Sequence, residues 1–233
     1  MTHSRAFPLP PPVLRHGQRA PRRGAGRHGW RRLAVAAGFL LLGFGGWQLG
    51  AAGYIHAKAW LAQVLLRQAW AETLAGAPGP DGIEEANADL RRPWPWADTG
   101  PVARLRVPDL GVDEIVLAGA SGRTLAFGPG HLDQTAMPGA AGHSVISGHR
   151  DTHFAFLADL APAMKLEVQR ADGGWRSYRV LGGEVIDSRT ARLSLADQRP
   201  ALTLVTCWPF DAVDPGGPLR YAVYAEEYVP PQP

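Results

Sequence analysis

Between Arg32 and Lys58 the chain carries no charged side chain: LAVAAGFLLLGFGGWQLGAAGYIHA, 25 residues. A helix of about 20 apolar residues crosses the hydrocarbon core of a bilayer, so this stretch is long enough to span one. Trp30 and Tyr54 stand near its ends and Trp47 lies within it, consistent with the aromatic belts of membrane interfaces. Eight Arg precede it within residues 1–32, and Lys58 and Arg67 follow. By the positive-inside rule the N-terminus faces the cytoplasm and the rest of the chain lies outside it. Ala57-Lys58-Ala59 has the small-x-small pattern of a cleavage site. The basic leader and the apolar stretch, however, are both long for a signal peptide. We therefore expect an uncleaved signal anchor at 33–57 behind a basic, Pro- and Gly-rich tail at 1–32. Arg31-Arg32 alone, without a matching consensus, is a weak export signal.

The anchor explains a misleading net charge of +3. Residues 1–71 contain no Asp or Glu; from Glu72 onward 14 basic residues face all 21 acidic ones, a net −7. The portion expected to fold is acidic, which argues against nucleic acid as a partner.

Residues 58–75 read as a helix, with Leu66, Trp70 and Leu74 recurring at i+4 and no Gly or Pro. AGAPGPDG (75–82) breaks it, and RRPWPWADTGP (91–101) is extended. Beyond it, β-type runs are expected at 102–107, 112–117, 143–148, 165–169, 176–181, 184–187, 202–207 and 220–228. Alternation is clearest where Leu166, Val168, Tyr178 and Val180 face one way and Lys165, Glu167, Ser177 and Arg179 the other. Asp172-Gly173-Gly174 reads as the turn between those two runs. DTHFAFLADL (151–160) is expected to hold a short helix. Many short strands punctuated by Gly and Pro favour an all-β barrel or sandwich. The organisation is a tail (1–32), an anchor (33–57), a juxtamembrane helix and linker (58–94), a β domain (95–229) and a short tail (230–233).

Cys207 is the only cysteine. Outside the cytoplasm thiols usually pair, and a single one cannot pair within its chain, so it is inert, bridged to another molecule, or reactive. Of the four histidines in the β domain, His131, His143, His149 and His153, His149 follows an apolar strand and a glycine. His149 and His153 have i,i+4 spacing, but the glutamate of the HExxH zinc motif is absent, and we expect no metal and no cofactor. Cys207 ends the strand LTLVT, and Arg220 opens the last strand. A thiolate nucleophile, an imidazole acid/base and a guanidinium facing an oxyanion together make an acyl-transfer site. By spacing alone the trio is suggestive only.

TLVTC with an Arg thirteen residues on resembles the sortase signature TLxTC…R, and SGHR resembles the segment holding the sortase histidine. RVPDLGVDEIVLAGAS resembles the opening strands of that domain. LAFGPGHLDQTAMPGAAGHSVISGHRDTHFAFLADL resembles the region around the histidine in sortases of class C/D type. TCWPF and the short anchored layout look most like the subgroup of Gram-negative proteobacteria. The resemblance covers roughly 95–228. It implies an eight-stranded barrel, with Cys207 as nucleophile, His149 as acid/base partner, Arg220 as oxyanion or substrate-orienting residue and Thr206 shaping the oxyanion site. It also implies cleavage of a C-terminal LPxTG-like signal of exported proteins between Thr and Gly, a thioester intermediate, and transfer to an amine or water. The catalytic domain would then lie on the periplasmic side of the inner membrane. Trp208 and Phe210 would line the peptide groove or pack under the loop. A Gly-Asp pair often follows the short helix in the family; this chain has LAPAMKLEV. Two alternatives stand beside this reading. An L,D-transpeptidase places an Arg two residues after its cysteine, where this chain has Pro209. A non-catalytic tethered barrel would merely pack Cys207.

Overall fold

The computed structural model describes residues 27–76, 91–192, 199–212 and 216–229. Residues 1–26, 77–90, 193–198, 213–215 and 230–233 lie outside them. The chain divides into two compact units, Met1–Gly53 and Tyr54–Pro233.

Helix α1 (Arg27–Ala75) runs 49 residues. It begins ahead of the expected anchor and continues through the expected juxtamembrane helix without a break. Among the described residues it is the one helix long and apolar enough to cross a membrane. Leu40, Leu41 and Leu42 are 75%, 72% and 73% exposed, an arrangement that needs an apolar surrounding. Gly43, Gly45, Gly46 and Gly50 lie in this part; they would weaken a helix in water and are common in membrane helices.

In the second unit the i+4 stripe of α1 finds its partner. Leu66 and Trp70 are buried against Ile115 and Leu117, with Leu74 alongside, and Trp70 Nε1 donates to Gln169 Oε1 at 3.2 Å. Removing a side chain such as Leu66 from water contributes about 1.5–3 kcal/mol.

The domain is a closed barrel. Its strands are β1 (Pro101–Val107), β2 (Val112–Ala118), β3 (Gly130–His131), β4 (His143–Ser147), β5 (Lys165–Arg170), β6 (Trp175–Asp187), β7 (Ala201–Cys207) and β8 (Leu219–Glu227). They close in the order β1-β2-β3-β4-β7-β8-β6-β5. β2–β3 and β4–β7 are parallel and the other pairs antiparallel. Leu105, Val116, Ile146, Leu166, Tyr178, Leu204 and Val223 meet inside.

Three expectations change. The runs at 176–181 and 184–187 are one strand, β6, bent by a bulge between Val180 and Gly182. The eighth strand is β3, whose two residues carry no periodicity to read. Gly130 is required there because the backbone of Gly119 passes where a Cβ would stand. The expected helix at 151–160 is a single 3₁₀ turn at Ala155–Ala158.

The turn into β5 holds Ala163 at φ 72, the one non-glycine with positive φ among the described residues. Ala163 N donates to Val180 O at 2.8 Å and Val180 N to Met164 O at 2.9 Å, so the conformation is pinned. An L-residue in this region costs about 1–2 kcal/mol, partly offset by the entropy a glycine loses on folding. Ala163→Gly should therefore stabilise the domain by about 0.5–1 kcal/mol, read as a higher denaturation midpoint.

His131 is 2% exposed. Its Nε2–H donates to Ala136 O at 2.9 Å and to Thr135 Oγ1 at 3.1 Å, while the Thr135 hydroxyl donates to Leu132 O. Burial, outweighing these bonds, holds its pKa below the ordinary histidine value. The unfolded chain then binds more protons than the folded one below about pH 6.5. Stability should be fully present above that pH and fall as pH drops toward the folded pKa. Melting curves between pH 7 and 5 should show the fall, and His131→Gln should flatten it; a variant that tracks wild type at every pH would refute the assignment.

Candidate active site

The alternation of β7 sends Leu202, Leu204 and Thr206 inward and leaves Cys207, free and half-buried, on the other face at the strand's end. The parallel ladder with β4 runs from His143↔Ala201 to Ser147↔Val205. It is stitched one step further by two bonds. Gly148 N donates to Val205 O at 3.1 Å, and the Thr206 hydroxyl donates to Gly148 O at 2.8 Å. Two residues past the last pair of this ladder the chain reaches His149 on one side and Cys207 on the other. Gly148 has to be glycine because a Cβ would meet the buried Phe154 ring at 2.6 Å.

On the other side of β7, Cys207 pairs with Arg220 of β8. Directly opposed residues share a face, with Cβ atoms about 4.5–5.5 Å apart. The Arg220 guanidinium donates to Gly217 O and Leu219 O, each at 2.8 Å. Cys207, His149 and Arg220 thus occupy the same end of three neighbouring strands. Thr206 is brought there too, but its hydroxyl is engaged with Gly148 on the core side.

Trp208, Phe210 and Tyr221 pack together with ring centroids 5.5–5.6 Å apart, Phe210 edge-on to both of the others. Phe210 and Tyr221 also pack against the barrel core. Of the other histidines, His143 Nε2 lies 2.6 Å from Thr203 Oγ1, and His153 Nδ1 lies 3.0 Å from Glu114.

One residue at the site was passed over in the sequence. Arg150, immediately after His149, is only 7% exposed. Its Nη1 donates to Pro209 O at 2.5 Å and its Nη2 to Ala212 O at 3.0 Å, both in the loop that leaves Cys207. Nε and Nη2 also grip Asp151 at 2.7 and 3.1 Å. That bond lifts the Arg150 pKa and lowers that of Asp151. The signal was present: arginine is almost never fully buried unless paired, and this one directly follows a buried strand.

The barrel order and the strand-end arrangement define the class. Residues 105–228, more than half of the chain, match the family model for the sortase domain. The chain belongs to the sortase family. Sortase D of Bacillus subtilis (strain 168) is 25% identical over 194 residues, covering 82% of this chain and 94% of that protein. Among solved structures, a Clostridium perfringens sortase D5 transpeptidase aligns with TM-score 0.58 at 20% identity, covering 72% of this chain and 99% of that one. Sortase A from Corynebacterium diphtheriae aligns with TM-score 0.51 at 24% identity, covering 74% and 85%. These structural matches establish a shared fold.

Arg150→Ala would orphan the Pro209 and Ala212 carbonyls and leave Asp151 unpaired. We expect faster proteolysis within 208–212 and a melting temperature lower by about 5 °C or more; unchanged cleavage there would show that the loop does not depend on Arg150.

Proposed function

We propose that this sortase is a membrane-anchored cysteine transpeptidase acting on a C-terminal LPxTG-like signal of exported proteins. Cys207 attacks the carbonyl of the Thr–Gly bond, His149 protonates the departing amine, and Arg220 orients the substrate or stabilises the oxyanion. The acyl group is held as a Cys207 thioester and passes to an amine or to water. We place Thr206 as a tie that keeps Cys207 level with His149, and Trp208 and Phe210 as supports of the loop. α1 anchors the chain in the cytoplasmic membrane with its N-terminus inside and the barrel outside, as the excess of Arg before the apolar stretch favours. TCWPF and the short anchored layout favour the subgroup of Gram-negative proteobacteria.

The observation that supports this reading most is the pairing of Cys207 with Arg220 in one ladder while the Gly148–Thr206 bond draws in the residue before His149. A packed, inert cysteine has no use for a charged partner directly opposite.

The test is cleavage of an LPxTG-containing peptide with mass-spectrometric trapping of the acyl-enzyme. Wild type should form a Cys207 adduct, and Cys207→Ala and His149→Ala should lose turnover. Arg220→Ala should lower kcat by about 10²–10³-fold, the usual loss of one oxyanion donor. Turnover by Cys207→Ala at the wild-type rate would sink the proposal.

A further inference from the structure

A cleft of about 620 Å³ lies beside His149. Of the trio, His149 alone is among its lining residues. One wall is α1, which contributes Trp60, Gln63 and Arg67; across from it stand Phe127 and the loop bearing His149 and His153. The α1 wall is fixed. Gln63 Nε2 donates to Phe127 O at 2.7 Å, and Leu66 and Trp70, further along the helix, are buried. Trp60, by contrast, is 69% exposed. The match to the sortase domain begins at residue 105, so this wall is not part of what the family match supplies.

Arg67 is the one permanently charged side chain among the residues lining the cleft. Arg67 and the imidazoles of His56, His149 and His153 face it, and no Asp or Glu is among the lining residues. The carboxylates just behind are engaged: Glu114 with His153 at 3.0 Å, and Asp113 with Arg104 at 2.5 Å and Arg106 at 3.5 Å. The rest of the lining is largely apolar.

The chemistry proposed for Cys207 and His149, on which this inference rests, says what enters here. In the second half of the reaction the amine nitrogen bonds to the acyl carbon and the C–S bond breaks. The electron pair returns to the Cys207 sulfur, and the proton lost by the amine passes to His149 and then to that sulfur. The incoming amine must therefore reach the trio from the side on which the imidazole is open. We propose that α1 builds the acceptor site, with Trp60 and Arg67 selecting an amine that carries an apolar side chain and a carboxylate close to the reacting nitrogen. The apolar group lies against Trp60 and Phe127, and the carboxylate faces Arg67.

The test uses the full chain in detergent with an LPxTG-containing donor peptide and two acceptors, Gly-Leu-Asp and Gly-Leu-Lys. Wild type should favour Gly-Leu-Asp, and Arg67→Glu should invert the preference, each by about fivefold. Trp60→Ala should raise the ratio of acceptor KM to donor KM by about tenfold. A preference indifferent to Arg67→Glu, or a Trp60→Ala effect that falls on the donor KM, overturns the proposal; the latter would assign the cleft to the leaving fragment. A separate arm titrates Gly-Leu-Asp into Cys207→Ala protein with and without Trp60→Ala. Binding about tenfold weaker without the indole supports the acceptor site, and no difference refutes it. If wild type forms no adduct with the donor, the catalytic reading fails on its own, and this binding arm still decides the cleft.

Discussion

The Arg150 guanidinium is the interaction on which the site depends. A barrel delivers strand ends to a rim, but past the last ladder bond the chain is free to wander, and the two residues of interest here lie at that limit. His149 stands one residue beyond the last stitched glycine, and Cys207 is the final residue of its strand. Arg150 closes the gap from outside the ladder by holding two carbonyls of the loop that follows Cys207. A buried, paired charge is rarely a net source of stability, because desolvation consumes most of the attraction. Position is the better explanation of why it is there.

That lock works because β4 and β7 run parallel. Parallel neighbours point their C-terminal ends the same way, so both chains leave the barrel on one side and the loops that follow can be joined. β8, antiparallel to β7, enters at the same side and brings Arg220 as its second residue. The topology therefore gathers three strand ends on one side of the barrel, although 71 positions separate His149 from Arg220. The close packing of Phe154 on Gly148 serves the same end: it seats the turn after His149 against the core.

Much of this was legible in the sequence, and the failures have physical causes. The helix showed itself through the absence of charge between Arg32 and Lys58 and the Leu66–Trp70–Leu74 spacing, because burial on one face imposes a period. Most strands showed themselves by alternation or apolar runs. β3 did not, since two residues make no period and Gly130 is selected by a backbone approaching from elsewhere. β6 read as two strands because Gly182 and Gly183 resemble a turn, whereas they sit in paired backbone just past a bulge. The positions of Cys207, His149 and Arg220 at strand ends were readable; the partners of Thr206 and Arg150 were not. Side-chain bonds to backbone carbonyls 58 to 62 positions away leave no local mark.

The aromatic cluster shows how the rim can stay open around a half-buried thiol. A strand end ringed by Trp208, Phe210 and Tyr221 would collapse onto Cys207 if those rings had nowhere else to go. Instead they stack on one another, and Phe210 and Tyr221 face the core, on the side of the sheet opposite to that of Cys207 and Arg220. The apolar surface of the loop is thus spent behind the strand. What remains in front is the Cys207 sulfur beside its ladder partner Arg220. On the proposed outer side of the membrane, the absence of a second cysteine in the chain keeps that sulfur from closing an internal disulfide. The same separation of faces accounts for Thr206: a hydroxyl turned inward can tie Gly148 in place without competing for whatever binds at Cys207.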